Sequence, residues 1–276
     1  MTYRQLINAL GHELEAIGEE KEALIFAFKE KKGWSTTDFA LEQAKEVSPE
    51  DQALLEEIYH ALKQHTPVQH YLGYAYFKDL LLTISSDVLI PRPETEELVD
   101  LILVENTYED LTVLDIGTGS GAIALALKSQ RPSWQITASD ISENALEIAK
   151  RNADDLGLAI DLMPSDVFSD LSGTFDIIVS NPPYIAENDR DEVAENVYAF
   201  EPHLALFAPS DGYAVYERII NGARDFLKPN GRLYFEIGYK QGSRLVQLLN
   251  HAFPNRHAKV IKDSFGKNRM VVLTNE

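Results

Sequence analysis

The residues Asn181, Pro182, Pro183 and Tyr184 are the part of this sequence best suited to chemistry. They follow the apolar run Phe175–Ser180, whose composition predicts a buried strand. A carboxamide, two prolines and an aromatic ring at a strand end form a rigid wall of hydrogen-bond acceptors. Such a wall can hold a planar, weakly nucleophilic nitrogen while it is alkylated. The alternative is that Asn-Pro is only a turn that ends the strand.

A glycine-rich loop follows an earlier predicted strand, Thr112–Ile116. Its glycines allow the backbone to approach a ligand where a Cβ atom would collide. At the carboxyl edge of the first strand of an open sheet, such a loop is typical of a nucleoside-type cofactor site. With Ala122 in the third position the spacing also fits a dinucleotide site, so the loop alone leaves the cofactor open. The loop residues are Gly117, Thr118, Gly119, Ser120 and Gly121.

Aspartates at the ends of predicted strands indicate which cofactor the loop binds. Asp140 is at the right distance to take both ribose hydroxyls, although it could also cap the helix that starts near Ser142. Asp166 is placed to accept a hydrogen from an adenine amino group, with Val167 lining the base. Asp115 would repel a phosphate and attract the sulfonium and ammonium groups of S-adenosylmethionine. This charge favours S-adenosylmethionine over NAD.

The composition narrows the classes of protein to which the chain can belong. Its 276 residues suit one large and one small domain. A net charge of −19 argues against long-range attraction to nucleic acid or anionic membranes. This charge suits a cationic small molecule or a protein partner better. We therefore expect no direct binding to nucleic acid, although a local basic patch stays possible.

Cysteine and histidine give no pattern of a metal site or of covalent catalysis. The chain has no cysteine, which excludes disulfides, thiolate nucleophiles and zinc–thiolate sites. His12, His60, His65 and His70 lack a paired metal-ligand spacing, so we expect no metal. No apolar run is long enough to span a bilayer, and the first residues lack the apolar core of a signal peptide. We expect a cytoplasmic protein that does not bind membranes.

Residues 1–72 have the pattern of a small helical bundle. Leucines recur at helical spacing, Ser35 and Ser48 are suited to begin helices, and Gly33 is suited to end one. No catalytic constellation is visible in this part. We interpret it as a helical substrate-docking domain.

Residues 73–90 predict a β-hairpin linker with strands at Tyr74–Phe77 and Leu80–Ser85. Pro91 and Pro93 should hold the following segment extended, with a helix from Thr95.

Predicted strands and helices alternate from residue 91 to residue 276. This alternation predicts an α/β fold with a doubly wound, mostly parallel sheet and helices on both faces. Two final strand-like runs predict a terminal antiparallel strand, as in class I methyltransferases. The predicted strands are Thr112–Ile116, Gln135–Ser139, Ile160–Met163, Phe175–Ser180, Arg232–Ile237, Ala258–Lys262 and Met270–Thr274, and the predicted helices lie near 121–130, 142–156, 213–228 and 240–251.

A set of short motifs resembles the N(5)-glutamine methyltransferases that modify peptide chain release factors, the PrmC or HemK family. Each motif is weak or shared by itself, and their order and joint presence carry the resemblance. Together with the helical segment they extend over essentially the whole chain. The motifs are Pro67–Gly73, Ile90–Glu96, Asp115–Gly121, Ser180–Ile185 and Glu201–Leu206.

The resemblance implies a helical domain, a hairpin linker and a class I methyltransferase domain. It implies methyl transfer from S-adenosylmethionine to the glutamine of the Gly-Gly-Gln motif in class I release factors. By the same resemblance, residues 117–121 are the cofactor loop, Asp140 is the ribose acid, and Asn181 begins a substrate pocket that ends at Tyr184. Val167 stands where many members have an aromatic residue, so an adenine contact there would lose ring stacking.

For this transfer we expect catalysis to depend on Asn181, Pro182 and Tyr184. The Asn181 side-chain oxygen, which also borders the cofactor, and the Pro182 carbonyl can each accept one hydrogen of the substrate amide. Tyr184 would stack on the amide plane. In-line transfer from a sulfonium requires no metal and no covalent intermediate, and we assign no general base.

Three other functions remain as alternatives to methylation of a release factor. Methyltransferases acting on glutamine in a ribosomal protein resemble this family, although the segment Arg92–Glu96 favours the release-factor branch. Adenine-N6 methyltransferases of nucleic acids share the Asn-Pro-Pro-Tyr arrangement, although the low Lys and Arg count argues against them. A non-catalytic scaffold that binds the cofactor is the third, and the intact Asn-Pro-Pro-Tyr segment argues against it.

Overall fold

The structure is a computed structural model that describes residues 1–275. It contains two compact units. The smaller consists of residues 1–74 with 194–200, and the larger of residues 75–193 with those from 201 onward. None of the helices in the described part of the chain is long and apolar enough to cross a membrane.

Helices build most of the smaller unit and flank a sheet in the larger one. A 3-10 helix spans Glu187–Glu192. The helices are α1 (Tyr3–Glu15), α2 (Lys21–Lys32), α3 (Thr36–Glu42), α4 (Pro49–Lys63), α5 (Val68–Leu72), α6 (Pro93–Glu105), α7 (Ala122–Gln130), α8 (Glu143–Leu156), α9 (Glu195–Phe200), α10 (His203–Leu206), α11 (Pro209–Gly212), α12 (Ala214–Phe226) and α13 (Gly242–Ala252).

The strands form a hairpin (β1 with β2), a short pair (β7 with β8) and one main sheet. They are β1 (Tyr74–Phe77), β2 (Leu80–Thr83), β3 (Thr112–Ile116), β4 (Gln135–Asp140), β5 (Asp161–Pro164), β6 (Phe175–Ser180), β7 (Ile185–Ala186), β8 (Phe207–Ala208), β9 (Leu227–Glu236), β10 (His257–Lys262) and β11 (Asn268–Thr274).

The helical unit forms for the reasons its sequence indicates. Ser35 and Ser48 cap α3 and α4, each accepting a hydrogen bond from a backbone N–H one turn later, and Pro49 takes the first position of α4. Gly33 ends α2 in the left-handed region with φ 62°. The leucines at helical spacing join the buried core around Phe28. The predicted helical bundle is confirmed.

The main sheet has the strand order β10-β11-β9-β6-β3-β4-β5. Strands β3, β4, β5, β6 and β9 pair in parallel, whereas β11 pairs antiparallel with both β9 and β10. Separate apolar clusters cover the two faces, one with α6 and α7 and the other with α12 and α13. The predicted α/β class, with a mostly parallel sheet and a terminal antiparallel strand, is confirmed.

The segment before α6 differs from the prediction. We expected an extended chain up to Thr95, but α6 begins at Pro93. Proline fixes φ near the helical value and lacks an N–H that would lose its partner, so it suits the first turn. Arg92, held extended by the following proline, is the N-cap, and Glu94 and Glu96 lie in the first turn, where the helix dipole favours them.

Asn152, on α8, connects the hairpin to the glycine-rich loop. Its Oδ1 accepts from the N–H of Thr83 at 2.7 Å, and its Nδ2 donates to the carbonyls of Thr83 at 3.0 Å and Ser120 at 2.8 Å. The Asn152 side chain is buried, so water cannot replace these bonds. This side chain therefore holds β2 beside the loop.

Asn152→Ala should lower the free energy of unfolding by about 2–4 kcal/mol, because it removes the hydrogen bonds to the backbone of partly buried Thr83 and of buried Ser120. Urea denaturation measures this. Asn221→Ala, at an exposed position of α12, is the matched control and should change stability by less than about 0.5 kcal/mol. Equal small effects in both variants would contradict the proposed connection.

Candidate active site

One row of the main sheet positions the candidate site. Ile116 of β3 pairs with Ser139 of β4 and with Ser180 of β6, and Ser180 pairs with Phe235 of β9. In addition, the Ser180 hydroxyl donates to the Ile116 carbonyl at 2.7 Å. The next residue along each strand therefore lies at the same edge of the sheet. Those residues are Asp140, Gly117, Asn181 and Glu236.

A cavity of about 320 Å³ opens at this edge. Its lining contains most of the residues predicted from the sequence. Asp115, Gly121 and Tyr184 are not part of the lining. Asp115 is fully buried at the end of β3, Gly121 is the buried N-cap of α7, and Tyr184 packs partly buried against the core with α12. The predicted residues in the lining are Gly117, Thr118, Gly119, Ser120, Asp140, Asp166, Val167, Asn181, Pro182 and Pro183.

The glycine-rich loop needs glycine mainly for its backbone conformation. Gly117, Gly119 and Gly121 have φ values of 73°, 56° and 84°, in the left-handed region. A Cβ atom at Gly117 or Gly119 would meet no atom within 4 Å, so the space beside them is open to a ligand. At Gly121 a Cβ atom would lie 3.0 Å from Leu125, which ties this glycine to helix packing instead.

Asp140 is held by the backbone around it. Its Oδ2 accepts from the N–H of Gly119 and its Oδ1 from that of Ser142, both at 2.9 Å. Burial raises its pKa, although these bonds favour the charged form. The cap of α8 is Ser142, which accepts from Ala145 at 3.2 Å, so the alternative role of Asp140 as the helix cap is wrong.

Asp115 lies fully buried beneath the loop. The Thr118 hydroxyl donates to its Oδ2 at 2.6 Å, whereas its Oδ1 has no hydrogen-bond partner among the described residues. Burial raises the pKa of Asp115 to about 7. A buried carboxyl with one unsatisfied oxygen favours a cationic ligand nearby and would oppose an anionic one.

Asp166 and Val167 border the cavity after β5. Asp166 forms an ion pair with Arg218 at 2.8 Å, and both side chains are about half exposed. Sequence patterns gave no indication of Arg218, because it comes from the exposed face of α12. Val167 has φ 60°, which is strained for a β-branched residue, and such strain is common at binding sites.

Asn181 is connected to two residues whose roles the sequence did not reveal. Its Nδ2 lies 3.3 Å from the Thr95 hydroxyl, which in turn donates to Glu236 Oε2 at 2.6 Å. Thr95 and Glu236 are both buried. Burial raises the pKa of Glu236 to about 7. The available signal for Glu236 was an acidic residue inside the otherwise apolar second half of the predicted strand Arg232–Ile237.

The Asn-Pro-Pro-Tyr segment is supported from behind by Gln241. The Gln241 Nε2 donates to the Tyr184 carbonyl at 3.1 Å and to that of Gly212 at 3.4 Å, and its Oε1 accepts from Gly238 at 3.0 Å. Gly212 has φ 81°, and a Cβ atom there would lie 2.1 Å from the Tyr184 carbonyl oxygen. The turn at α11 therefore packs directly on the segment.

The rim of the cavity is held by an ion pair between two of the sequence motifs. Arg92 contacts Glu201 at 2.6 Å, and the Glu201 carboxylate is almost fully buried. Burial raises the pKa of Glu201, and the charge of Arg92 opposes this shift. Within residues 1–275, no group of three or more His, Asp or Glu side chains is arranged to hold a metal ion.

Two family matches cover different parts of the chain. Residues 5–73 match the PrmC N-terminal domain, and residues 96–201 match the methyltransferase small domain.

Individual relatives match over nearly the full length. A release factor glutamine methyltransferase of Streptococcus pneumoniae is 50% identical over 99% of this chain and 98% of its own length. One of Enterococcus faecalis is 40% identical over 98% of each chain. A methyltransferase structure from Pyrococcus furiosus has a TM-score of 0.58 at 19% identity, covering 78% of this chain and 98% of that one, and it supports the fold alone.

The buried carboxyl of Asp115 should make the stability of the unliganded protein depend on pH. Its pKa in the folded state, about 7, is above the unfolded value, so its contribution is full in acid and is lost as pH rises through 7. Between about pH 5.5 and 8, the free energy of unfolding of the wild type should therefore fall by about 1–2 kcal/mol more than that of Asp115→Asn. Denaturation at several pH values measures this. Asp225→Asn, exposed on α12, should leave the slope unchanged, and an unchanged slope in both variants would contradict the assignment.

Gly212→Ala should be far more damaging than Gly266→Ala, although the two glycines have similar φ values of 81° and 79°. Both substitutions cost about 1–2 kcal/mol for the left-handed backbone. Only at Gly212 does the new Cβ collide with the Tyr184 carbonyl, which should add about 1–3 kcal/mol. Thermal unfolding of the two variants tests the difference, and equal melting temperatures would show that α11 does not constrain the segment.

Proposed function

The chain belongs to the release factor glutamine methyltransferases, and from this premise we propose how its residues carry out the reaction. The enzyme transfers a methyl group from S-adenosylmethionine to a glutamine side chain of a release factor. Neither a ribosomal-protein nor a nucleic-acid substrate is favoured by the comparisons. The single observation that carries the residue assignment is the register of β3 with β6, which sets the glycine-rich loop beside Asn181.

The proposed cofactor site is the cavity around the glycine-rich loop. S-adenosylmethionine, when bound, supplies an electrophilic methyl carbon on a sulfonium. The backbone of residues 117–121 would border it, Asp140 would take the ribose hydroxyls, and Asp166 with Val167 would contact the adenine. The unsatisfied oxygen of Asp115 fits this cationic cofactor, because a positive charge nearby stabilises the ionised carboxylate.

Asn181 and Pro182 are proposed to hold the substrate amide through two hydrogen bonds. An amide nitrogen is a poor nucleophile, since its lone pair is delocalised into the carbonyl. The Asn181 Oδ1 and the Pro182 carbonyl would each accept one hydrogen of the glutamine NH2, which orients the nitrogen and stabilises positive charge that develops on it. Pro182 and Pro183 have no N–H, so this strand end presents acceptors and keeps its shape.

Tyr184 is proposed to stack on the glutamine amide plane. Its ring packs beside Gly238 in the unliganded protein and lies outside the cavity lining, so it would turn toward the substrate on binding. Burial raises the pKa of Tyr184 to about 12, which keeps the phenol neutral and unsuited to act as a base. The proton leaves after transfer, when the nitrogen has become acidic, and no general base is assigned.

The helical unit, together with α9, is proposed to dock the protein substrate. Class I release factors are the proposed partners, because the family resemblance implies the glutamine of their Gly-Gly-Gln motif as the methyl acceptor. The net charge of −19 supports a protein substrate without direct contact to nucleic acid. Since release factors work on ribosomes, the proposed reaction takes place in the cytoplasm.

Asn181→Ala should reduce kcat for release-factor methylation by at least about 100-fold, because one of two fixed acceptors is lost. Binding of S-adenosylmethionine, measured by calorimetry, should change little. Transfer of labelled methyl to a purified class I release factor is the assay, with a Gln→Ala change in its Gly-Gly-Gln motif as the substrate control. Asn221→Ala is the enzyme control. Label transferred to the substrate control, or normal turnover by Asn181→Ala, would contradict the proposal.

A further inference from the structure

We propose that Thr95 and Glu236 are positioning residues that fix which end of the Asn181 carboxamide faces the substrate. This inference rests on the proposed function of Asn181 and adds to it the origin of its orientation. The three side chains come from different elements: Thr95 from the first turn of α6, Asn181 from the end of β6, and Glu236 from the end of β9.

A carboxamide has two ends of similar size and opposite hydrogen-bonding character. If the amino end of Asn181 faced the substrate NH2, two hydrogen-bond donors would face each other and Asn181 would form no hydrogen bond with the substrate. Asn181 is only partly buried and lines the cavity, so packing alone does not distinguish its two orientations. A hydrogen-bond partner of fixed polarity is required on the side away from the substrate.

Thr95 has its polarity set by Glu236. An ionised carboxylate can only accept, so the Thr95 hydroxyl gives its one hydrogen to Glu236 Oε2, 2.6 Å away. The Thr95 oxygen then offers only lone pairs to Asn181, 3.3 Å away. The Asn181 atom that faces Thr95 must therefore be the amino nitrogen, which leaves Oδ1 for the substrate.

The charge state of Glu236 depends on groups from several elements around it. Burial disfavours its ionised form, and Glu94 of α6 acts in the same direction. The hydrogen bond from Thr95, the charge of Arg269 of β11 and a direct hydrogen bond from Asn181 oppose this shift. Tyr184 and Tyr216 also face it, and the Tyr216 hydroxyl donates to the backbone carbonyl of Glu236 at 2.7 Å, not to its carboxylate. With a pKa of about 7, Glu236 would gain a proton in mild acid and lose its ability to specify the direction of the Thr95 hydrogen.

The direct test compares Thr95→Val with Thr95→Ser. Valine keeps the size of threonine but has no hydroxyl, so Asn181 loses one of its two partners and keeps only Glu236. As a result, kcat should fall about tenfold with little change in KM for the release factor. Serine keeps the hydroxyl and should recover most of the lost activity. Thr107→Val, in an exposed loop, is the control for the threonine-to-valine change. A kcat of Thr95→Val within twofold of wild type, or equal losses in the serine and valine variants, would overturn the proposal.

The pH dependence of kcat separates positioning from a purely structural role. At saturating cofactor, wild-type kcat should fall as pH drops through about 7, because protonated Glu236 no longer orients the Thr95 hydroxyl. Glu236→Gln should have a reduced kcat without this acid limb. An acid limb retained unchanged in Glu236→Gln would overturn the proposal.

Hydrogen exchange of the Asn181 side chain, measured without the release factor, tests the orientation of Asn181 independently of methyl transfer. Side-chain amide hydrogens of Asn181, identified in NMR spectra by their loss in Asn181→Ala, report the contact directly. Exchange of one hydrogen with solvent should be slow in wild type and Thr95→Ser, and at least about tenfold faster in Thr95→Val. Equally fast exchange in all three proteins would overturn the proposed orientation of Asn181. Slow exchange in a wild-type protein that does not methylate release factors would refute the proposed function alone.

Discussion

The parallel register of β3, β4, β6 and β9 is the constraint on which the site depends. Because Ser139, Ile116, Ser180 and Phe235 lie in one row, the residue that follows each of them is delivered to one edge of the sheet. A shift by one residue would turn the side chains to the other face and separate the glycine-rich loop from the Asn-Pro-Pro-Tyr segment. The apolar clusters on both faces oppose such a shift, so the core fixes the geometry of the chemistry.

Buried acids give this edge its electrostatic character. Asp115, Asp140 and Glu236 all have pKa values raised by burial, which means that the unliganded fold keeps carboxyls in surroundings that disfavour their charge. Asp115 and Asp140 lie on the side of the glycine-rich loop, where a cationic cofactor would offset that cost. Glu236 lies behind Asn181, where its charge would act both directly and through Thr95 on the orientation of a neutral amide. Burial of carboxyls is therefore the common physical basis of the proposed cofactor site and of the proposed orientation of Asn181.

The sheet, the glycine-rich loop and the position of the Asn-Pro-Pro-Tyr segment at a strand end could be predicted from the sequence, because these features depend on local patterns. Strands Thr112–Ile116 and Phe175–Ser180 have the predicted bounds, since each is a largely apolar run that ends directly before a glycine or a polar residue. The start of α6 was wrong by one half-turn because Pro93 could either extend the chain or begin a helix. The contact of Thr95 with Glu236 joins residues 141 positions apart, and no local pattern reports such a pairing. The same holds for Arg218 beside Asp166 and for the support of Tyr184 by Gln241.

In the proposed reaction, neutral oxygens at the end of β6 hold the glutamine amide beside the cofactor. A crystal structure with S-adenosylhomocysteine and a class I release factor would show this contact. The glutamine nitrogen should lie within about 3.2 Å of both Asn181 Oδ1 and the Pro182 carbonyl oxygen and should point at the cofactor sulfur. A glutamine bound elsewhere, or an Asn181 whose amino group faces the substrate, would contradict the proposed reaction.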